Sequence, residues 1–393
     1  MQQILKDIKV LDLTRVLAGP WCTQVLADMG AEVIKIESPR GGDESRNFPP
    51  FFNSAEKPQD AGAQRVSGFF ASCNRGKKSV ELDISTAQGQ EAIRELVKSC
   101  DVMVENFKAG GLSRYGLDYQ TLSALNPRLV YCSITGFGQT GPLSSYPGYD
   151  IVFQGLSGAM STCGLPDSVP GGGPVRTLVP YTDVMTGMYA CTGIIAALRH
   201  RDQTGEGQYI DLALLDVAMA ANAYIAGNYL ASGKVQQRVG NSGIASAPSG
   251  VYGCKDGYII IQANAQHWPL LCAALGQESW LTDPHFEKLE VRLRNAHLID
   301  GLLEAITRTW KKKELIALLG TAGVPSAPVN TVAEAFAEPQ VLHREIVENV
   351  AMPDGSQIPM VRNPLRFSKT PLVMRAPPYL GAHTKEFFPV AVD

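Results

Sequence analysis

This chain lacks a strong excess of charge of either sign. Its 35 Lys and Arg stand against 38 Asp and Glu, a net -3 over 393 residues, and charged types are only 19% of the whole. Without a strong basic field, nucleic acid is not expected as a partner. Long hydrophobic runs are missing too, so no membrane-spanning helix is expected. The start, Met1 to Asp7, is too polar and too short to read as a signal peptide. Clustered metal ligands are also lacking. The eight cysteines (Cys22, Cys73, Cys100, Cys132, Cys163, Cys191, Cys254, Cys272) form no C-x-x-C pair, and the six histidines do not gather. That pattern argues against zinc or any other metal, and for reduced, buried thiols in a cytoplasmic protein.

Apolar types make up 45% of the chain, enough for a large core, and the length exceeds one ordinary domain. The first forty residues read as a β-α-β unit. Ile8 to Leu13 is a short apolar strand, Pro20 to Met29 has helical spacing, and Gly30 ends that helix. Ala31 to Glu37 alternates strictly and reads as a parallel strand. A dinucleotide fold would carry G-x-G-x-x-G in the first turn; Arg15 to Pro20 lacks it. The layout is Rossmann-like without its phosphate chemistry.

The alternation continues with strands at 79–84, 102–106, 129–134 and 207–214, and helices at 86–99, from Asp183 to about His200, and at 215–231. A Gly-rich loop spans 163–178. Character changes near Ser232, where Gly, Ser and Ala dominate to 250. A strand at 257–263 and helices at 268–275, 297–308 and 312–320 follow, then strand-like 324–329, a helix at 332–337 and Pro-rich connections to Val392. The expected fold class is α/β: a Rossmann-like large domain built from 1–225 and the returning 321–393, with a smaller α/β domain at 226–320.

Asp183 carries the main chemical suggestion. It stands where an extended segment becomes a helix rich in small residues (Gly187, Ala190, Gly193, Ala196, Ala197). There a carboxylate meets free N–H groups and the positive end of the helix dipole, which keeps it ionised. A shielded, ionised carboxylate can act as a nucleophile. The same position also suits a plain N-cap Asp. Three loops close predicted strands on the ligand-binding side of the sheet: Arg15–Gly19, Glu105–Lys108 with Arg114 beyond, and Thr135–Pro142.

Taken in order, seven segments resemble the class III CoA-transferases, the family that includes formyl-CoA transferase and carnitine CoA-transferase. They are Leu11–Pro20, Gly30–Glu37, Asn74–Ser79, Val104–Phe107, Thr135–Pro142, Gly148–Asp150 and the stretch around Asp183. The resemblance spans nearly the whole chain. It implies that Asp183 attacks an acyl-CoA thioester, forming an aspartyl anhydride and then an aspartyl-CoA thioester. It implies CoA contacts at Val16, Leu17, Asn106, Phe107 and Lys108, a phosphate contact at Arg114, and a wall facing the thioester at Tyr149 and Asp150. It also implies an interlocked homodimer, with coenzyme A or acyl-CoA as substrate and no permanently bound cofactor.

The chain departs from formyl-CoA transferase at Ser38, where that enzyme has an Arg; Arg40 is the candidate substitute. It departs again at Gly240–Ser249, in place of a tetraglycine lid. The α-methylacyl-CoA racemases share the fold but use a His where this chain has Tyr149, and a phenol is a poor base at neutral pH. A non-catalytic CoA-binding homologue is the third reading, against which Asp183 stands. Tyr131–Gly136 and Phe336–His343 resemble the succinyl-CoA:glutarate branch, which implies succinyl-CoA as donor and a small dicarboxylate as acceptor.

Overall fold

The computed structural model describes residues 3–52 and 65–389. Met1, Gln2 and the end of the tail, with Val392, lie outside the described residues. The chain divides into two compact units. The larger comprises Met1–Ser157, Thr177–Gly227 and Arg344–Asp393; the smaller comprises Gly158–Arg176 and Asn228–His343.

The larger unit is built on six parallel strands: β1 (Lys9–Leu13), β2 (Glu32–Glu37), β3 (Lys78–Glu81), β4 (Val102–Glu105), β5 (Val130–Thr135) and β6 (Tyr209–Ala213). Their order is β3-β2-β1-β4-β5-β6, with every neighbouring pair parallel. This is the doubly wound Rossmann order, which turns back beside β1. The central strands β4 and β5 are buried along their whole length, as strands covered on both faces are. One core layer lies between the sheet and the helices Ala18–Asp28 and Tyr181–Thr204, and gathers Val10, Leu26, Val104, Ile134, Ile194 and Leu198. Thr86 starts the next crossover helix, Ala87–Val97, by accepting from the Gly89 N–H at 3.0 Å.

Two expectations for this unit change. The helix expected over 215–231 is two helices, Leu214–Ala221 and Ala223–Ser232. The break falls where Ala223 has φ 45 and the Asn222 amide donates to the Ser157 carbonyl at 2.7 Å. The tail also holds an unforeseen antiparallel hairpin. The hairpin strands are Val347–Ala351 and Gln357–Val361, and the tail binds β3 through His383 and Thr384.

In the smaller unit β7 (Ser249–Cys254), β8 (Gly257–Gln262) and β9 (Ser326–Pro328) form an antiparallel sheet. Because β9 pairs with β8, this unit runs on to His343 instead of ending at 320. It also takes in Gly158–Arg176, which the sequence assigned to the large domain; there Arg238 donates to the Leu165 carbonyl and Gly240 N to the Gly164 carbonyl. Its core stacks Trp268 on Trp280, with the Arg292 guanidinium over Trp268. All eight cysteines are unpaired; seven are buried and Cys163 is exposed. Among the described residues, no helix is long and apolar enough to cross a membrane.

Candidate active site

The site lies at the C-terminal ends of β1, β4 and β5, where the strand order turns back. The first loop runs Thr14 to Leu17 into the helix Ala18–Asp28. The Asp12 carboxylate accepts from the Thr14 N–H at 2.8 Å and from Thr23 Oγ1 at 2.6 Å, closing the turn from below. Asn106, just past β4, brackets Arg15: its Oδ1 accepts from Arg15 N at 2.9 Å and its Nδ2 donates to Arg15 O at 2.8 Å. Beside it Glu105 accepts from the Phe107 N–H at 2.7 Å and from the Ser133 hydroxyl. Burial pushes the Glu105 carboxyl up to about 7, against those two hydrogen bonds.

Asp183 is the third residue of the helix Tyr181–Thr204. Pro180 precedes the helix and offers no side-chain cap. Asp150 supplies one from another helix, Asp150–Leu156: its Oδ1 accepts from Thr182 N at 2.9 Å and Asp183 N at 3.4 Å. The buried Gln154 holds the other oxygen of Asp150. This corrects the sequence reading in one respect. Asp183 does not meet free N–H groups, and the dipole does not keep it fully ionised. Burial, and secondly the Asp150 carboxylate, raise its pKa to about 7, so near neutrality it exists in both forms.

A close approach of two helices sets where Asp183 points. A Cβ on Gly187 would sit 2.7 Å from the Ala18 carbonyl oxygen and 3.0 Å from Trp21 Cβ, so only glycine fits. Asp183 is one turn earlier on that helix, which brings it to the N-terminal end of Ala18–Asp28. The first N–H groups of a helix have no intrahelical partner, so that end suits a developing negative charge.

A cavity of about 280 Å³ brings Asp183 together with Val16, Leu17, Asn106, Phe107, Lys108, Tyr149 and Asp150. Tyr149 is 76% exposed. A second cavity, of about 210 Å³, is lined by Ser38, Asp83, Ser85 and Tyr115, and shares Arg15 and Phe107 with the first. Two candidates stand outside both. Arg40 is exposed and pairs with Asp83 at 3.2 Å, at the rim of the second cavity. Arg114 is exposed and lies 4.5 Å over the ring of Tyr115. Sequence reasoning missed Glu44, Ser144 and Tyr146, which also line the first cavity. Glu44 pairs with Arg15 at 3.3 Å. The Gly-Pro spacing of 141–148 was the available signal for Ser144 and Tyr146.

The profile of "CoA-transferase family III" matches residues 5–384. The chain is 43% identical to the succinate–glutarate CoA-transferase of Agrobacterium fabrum, over 96% of this chain and 93% of that one. It is 39% identical to human succinyl-CoA:glutarate CoA-transferase, over 97% and 84%. It superposes on the crystal structure of a CAIB/BAIF family protein from Brucella suis with TM-score 0.87, at 42% identity and 98% coverage of both chains. The chain belongs to CoA-transferase family III and is an enzyme, a class III CoA-transferase.

Proposed function

We propose that this enzyme moves CoA from succinyl-CoA to a small dicarboxylic acid, with Asp183 as the nucleophile. One observation carries the reading: a titratable carboxyl near neutrality sits in a cavity against the start of a second helix. A carboxyl Oδ of Asp183 attacks the thioester carbonyl, and the C–S bond breaks to release CoA thiolate and leave a mixed anhydride. The thiolate attacks the aspartyl carbonyl, expelling the first acid and leaving an aspartyl-CoA thioester. The acceptor carboxylate attacks that thioester, forming a second anhydride and freeing the thiolate again. The thiolate then takes the acceptor's acyl carbon, and the Asp183 carboxylate returns. No net proton is consumed. Each tetrahedral step places charge on oxygen, and the N–H groups of Leu17 and Ala18 are the donors nearest in kind.

CoA is longer than either cavity, and Arg15 and Phe107 join the two. The thioester end belongs in the first cavity and the nucleotide end in the second, with Arg114 and Arg40 at its edge for phosphate. Succinyl-CoA and a dicarboxylate acceptor rest on relatives named for succinate–glutarate and succinyl-CoA:mesaconate transfer. An interlocked homodimer is part of the reading. It is supported by the exposed apolar residues Leu178, Val179, Met188 and Tyr189 around the start of the Asp183 helix. A cytoplasmic location is supported by eight unpaired cysteines.

The test is transfer from succinyl-CoA to glutarate, mesaconate, oxalate and formate, read by mass spectrometry of the thioesters. Wild type should form glutaryl-CoA or mesaconyl-CoA, and hydroxylamine should trap the acylated Asp183. Asp183→Ala should bind CoA and transfer nothing. Transfer by that variant would remove Asp183 as nucleophile. Exchange of the α-proton of 2-methylacyl-CoA without transfer would assign the racemase reaction.

A further inference from the structure

Val16 has φ 67, a left-handed backbone on a β-branched residue. Such a residue avoids that region, and it persists only where its surroundings hold it. The hold on this turn is unusually complete. Buried Lys35 donates from Nζ to the Thr14 carbonyl at 2.7 Å. Asp43 Oδ1 accepts from the Val16 N–H at 3.3 Å, and Cys73 Sγ approaches the Val16 carbonyl at 3.4 Å.

Beneath the turn are charges with no access to water. Lys35 and Asp43 pair at 2.9 Å, and Lys77 and Asp12 at 2.9 Å, all four side chains fully buried. Burial alone would raise the Asp43 carboxyl, yet Lys35 and the Ser45 hydrogen bonds hold it below the usual range. Ser45 fixes the same Oδ1 through its N–H at 3.0 Å and its hydroxyl at 2.7 Å. Glu37 fixes the Asp43 backbone by accepting from its N–H at 3.0 Å. Buried charges are costly, and removing one partner strands the other. Here both members of one pair bond the same strained turn, Lys35 at Thr14 and Asp43 at Val16.

We propose that Asp43 is a positioning residue: paired with Lys35, it holds Val16 left-handed and so sets the Leu17–Ala18 end of the helix against Asp183. The proposal rests on the reading of Asp183 as nucleophile. Asp43 itself touches no reacting atom. Its fully buried side chain borders the second cavity and not the one that holds Asp183, which the turn itself lines.

The experiment is a double-mutant cycle between Asp43→Asn and Val16→Gly. The Asn keeps an oxygen for the Val16 N–H but removes the charge that fixes Lys35. Glycine enters the left-handed region at no steric cost, so it needs no such hold. Steady-state and single-turnover transfer from succinyl-CoA are measured beside thermal melting. Asp43→Asn should lower kcat about tenfold or more with KM for succinyl-CoA within about threefold, a transition-state loss and not a binding loss. In the Val16→Gly background the same change should lower kcat by less than about twofold, while melting falls as much as before. An unaltered kcat in Asp43→Asn overturns the proposal, as does an equal loss in both backgrounds, which assigns Asp43 to folding alone. Asp43→Glu keeps the charge, moves the oxygens by one methylene and covers the case in which the Asn variant is not recovered. The same loss and the same relief by Val16→Gly are expected, and an unaltered kcat overturns the idea. Asp183→Ala is measured alongside: transfer by that variant defeats the nucleophile reading, whatever Asp43 does.

Discussion

Ionisation of Asp183 should be visible in both turnover and stability, with opposite signs. The carboxyl is raised from 3.8 to about 7, by burial first and by Asp150 second. Attack needs the carboxylate, so kcat/KM should climb from pH 6 to 8. At pH 6 roughly a tenth of the enzyme is active and at pH 8 roughly nine-tenths. Glu105 also stands at about 7, so the profile alone does not assign the group. Asp150→Asn does: it keeps an acceptor for the Thr182 N–H and removes the like charge. The midpoint should then fall by about 1 pH unit or less, since burial remains.

For stability the sign runs the other way. The folded state holds the Asp183 proton more tightly than the unfolded chain. Below pH 4 both states are protonated and nothing is lost. From pH 4 to 7 only the unfolded chain ionises, so stability falls, and above pH 7 the penalty is complete. The size is on the order of 2–4 kcal/mol. Asp183→Asn cannot ionise, so it should gain about that much over wild type at pH 8 and little at pH 4. Urea unfolding at the two pH values measures this. A flat rate profile, an upward shift in Asp150→Asn, or no pH-dependent gain in Asp183→Asn would refute the reasoning.

Three further outcomes are expected. Arg114→Ala should weaken acyl-CoA binding by about 1.5–3 kcal/mol through loss of a charge-assisted contact, with acceptor preference unchanged; equal affinity in a binding titration would leave Arg114 on the surface. Arg75 and Asp28 form a buried two-bond pair at 2.8 and 2.6 Å. Arg75→Ala should cost about 3–5 kcal/mol in urea unfolding, because it strands Asp28, and a loss below about 1 kcal/mol would refute that. Gly187→Val should force the Asp183 helix off Ala18, costing about 1–3 kcal/mol and most of kcat; wild-type turnover would show that the close approach does not matter.

Local patterning carried much of the fold. The alternation of Ala31–Glu37 and the period of Pro20–Met29 depend on neighbours in sequence, and the structure forms a strand and a helix there. Thr86 caps its helix three residues on, again a local event. The Asn222–Ala223 break was not legible, because its cause is a hydrogen bond to Ser157 in another segment. Nor was the tail hairpin, whose alternate residues Ile358 and Met360 pack on Val66 and Ala71 far earlier in the chain.

The site divides the same way. The sequence by itself determined the family segments, the start of the Asp183 helix and the small residues that let it pack closely. Those are properties of residue type and spacing, and they survive without coordinates. Only the tertiary structure decided that Asp150, from 32 residues upstream, caps that helix. It also decided that burial, with the Asp150 carboxylate second, raises the Asp183 carboxyl to about 7. Capping across elements and burial of charge depend on which segments meet and how much water they exclude, and neither quantity is written in any local stretch of chain.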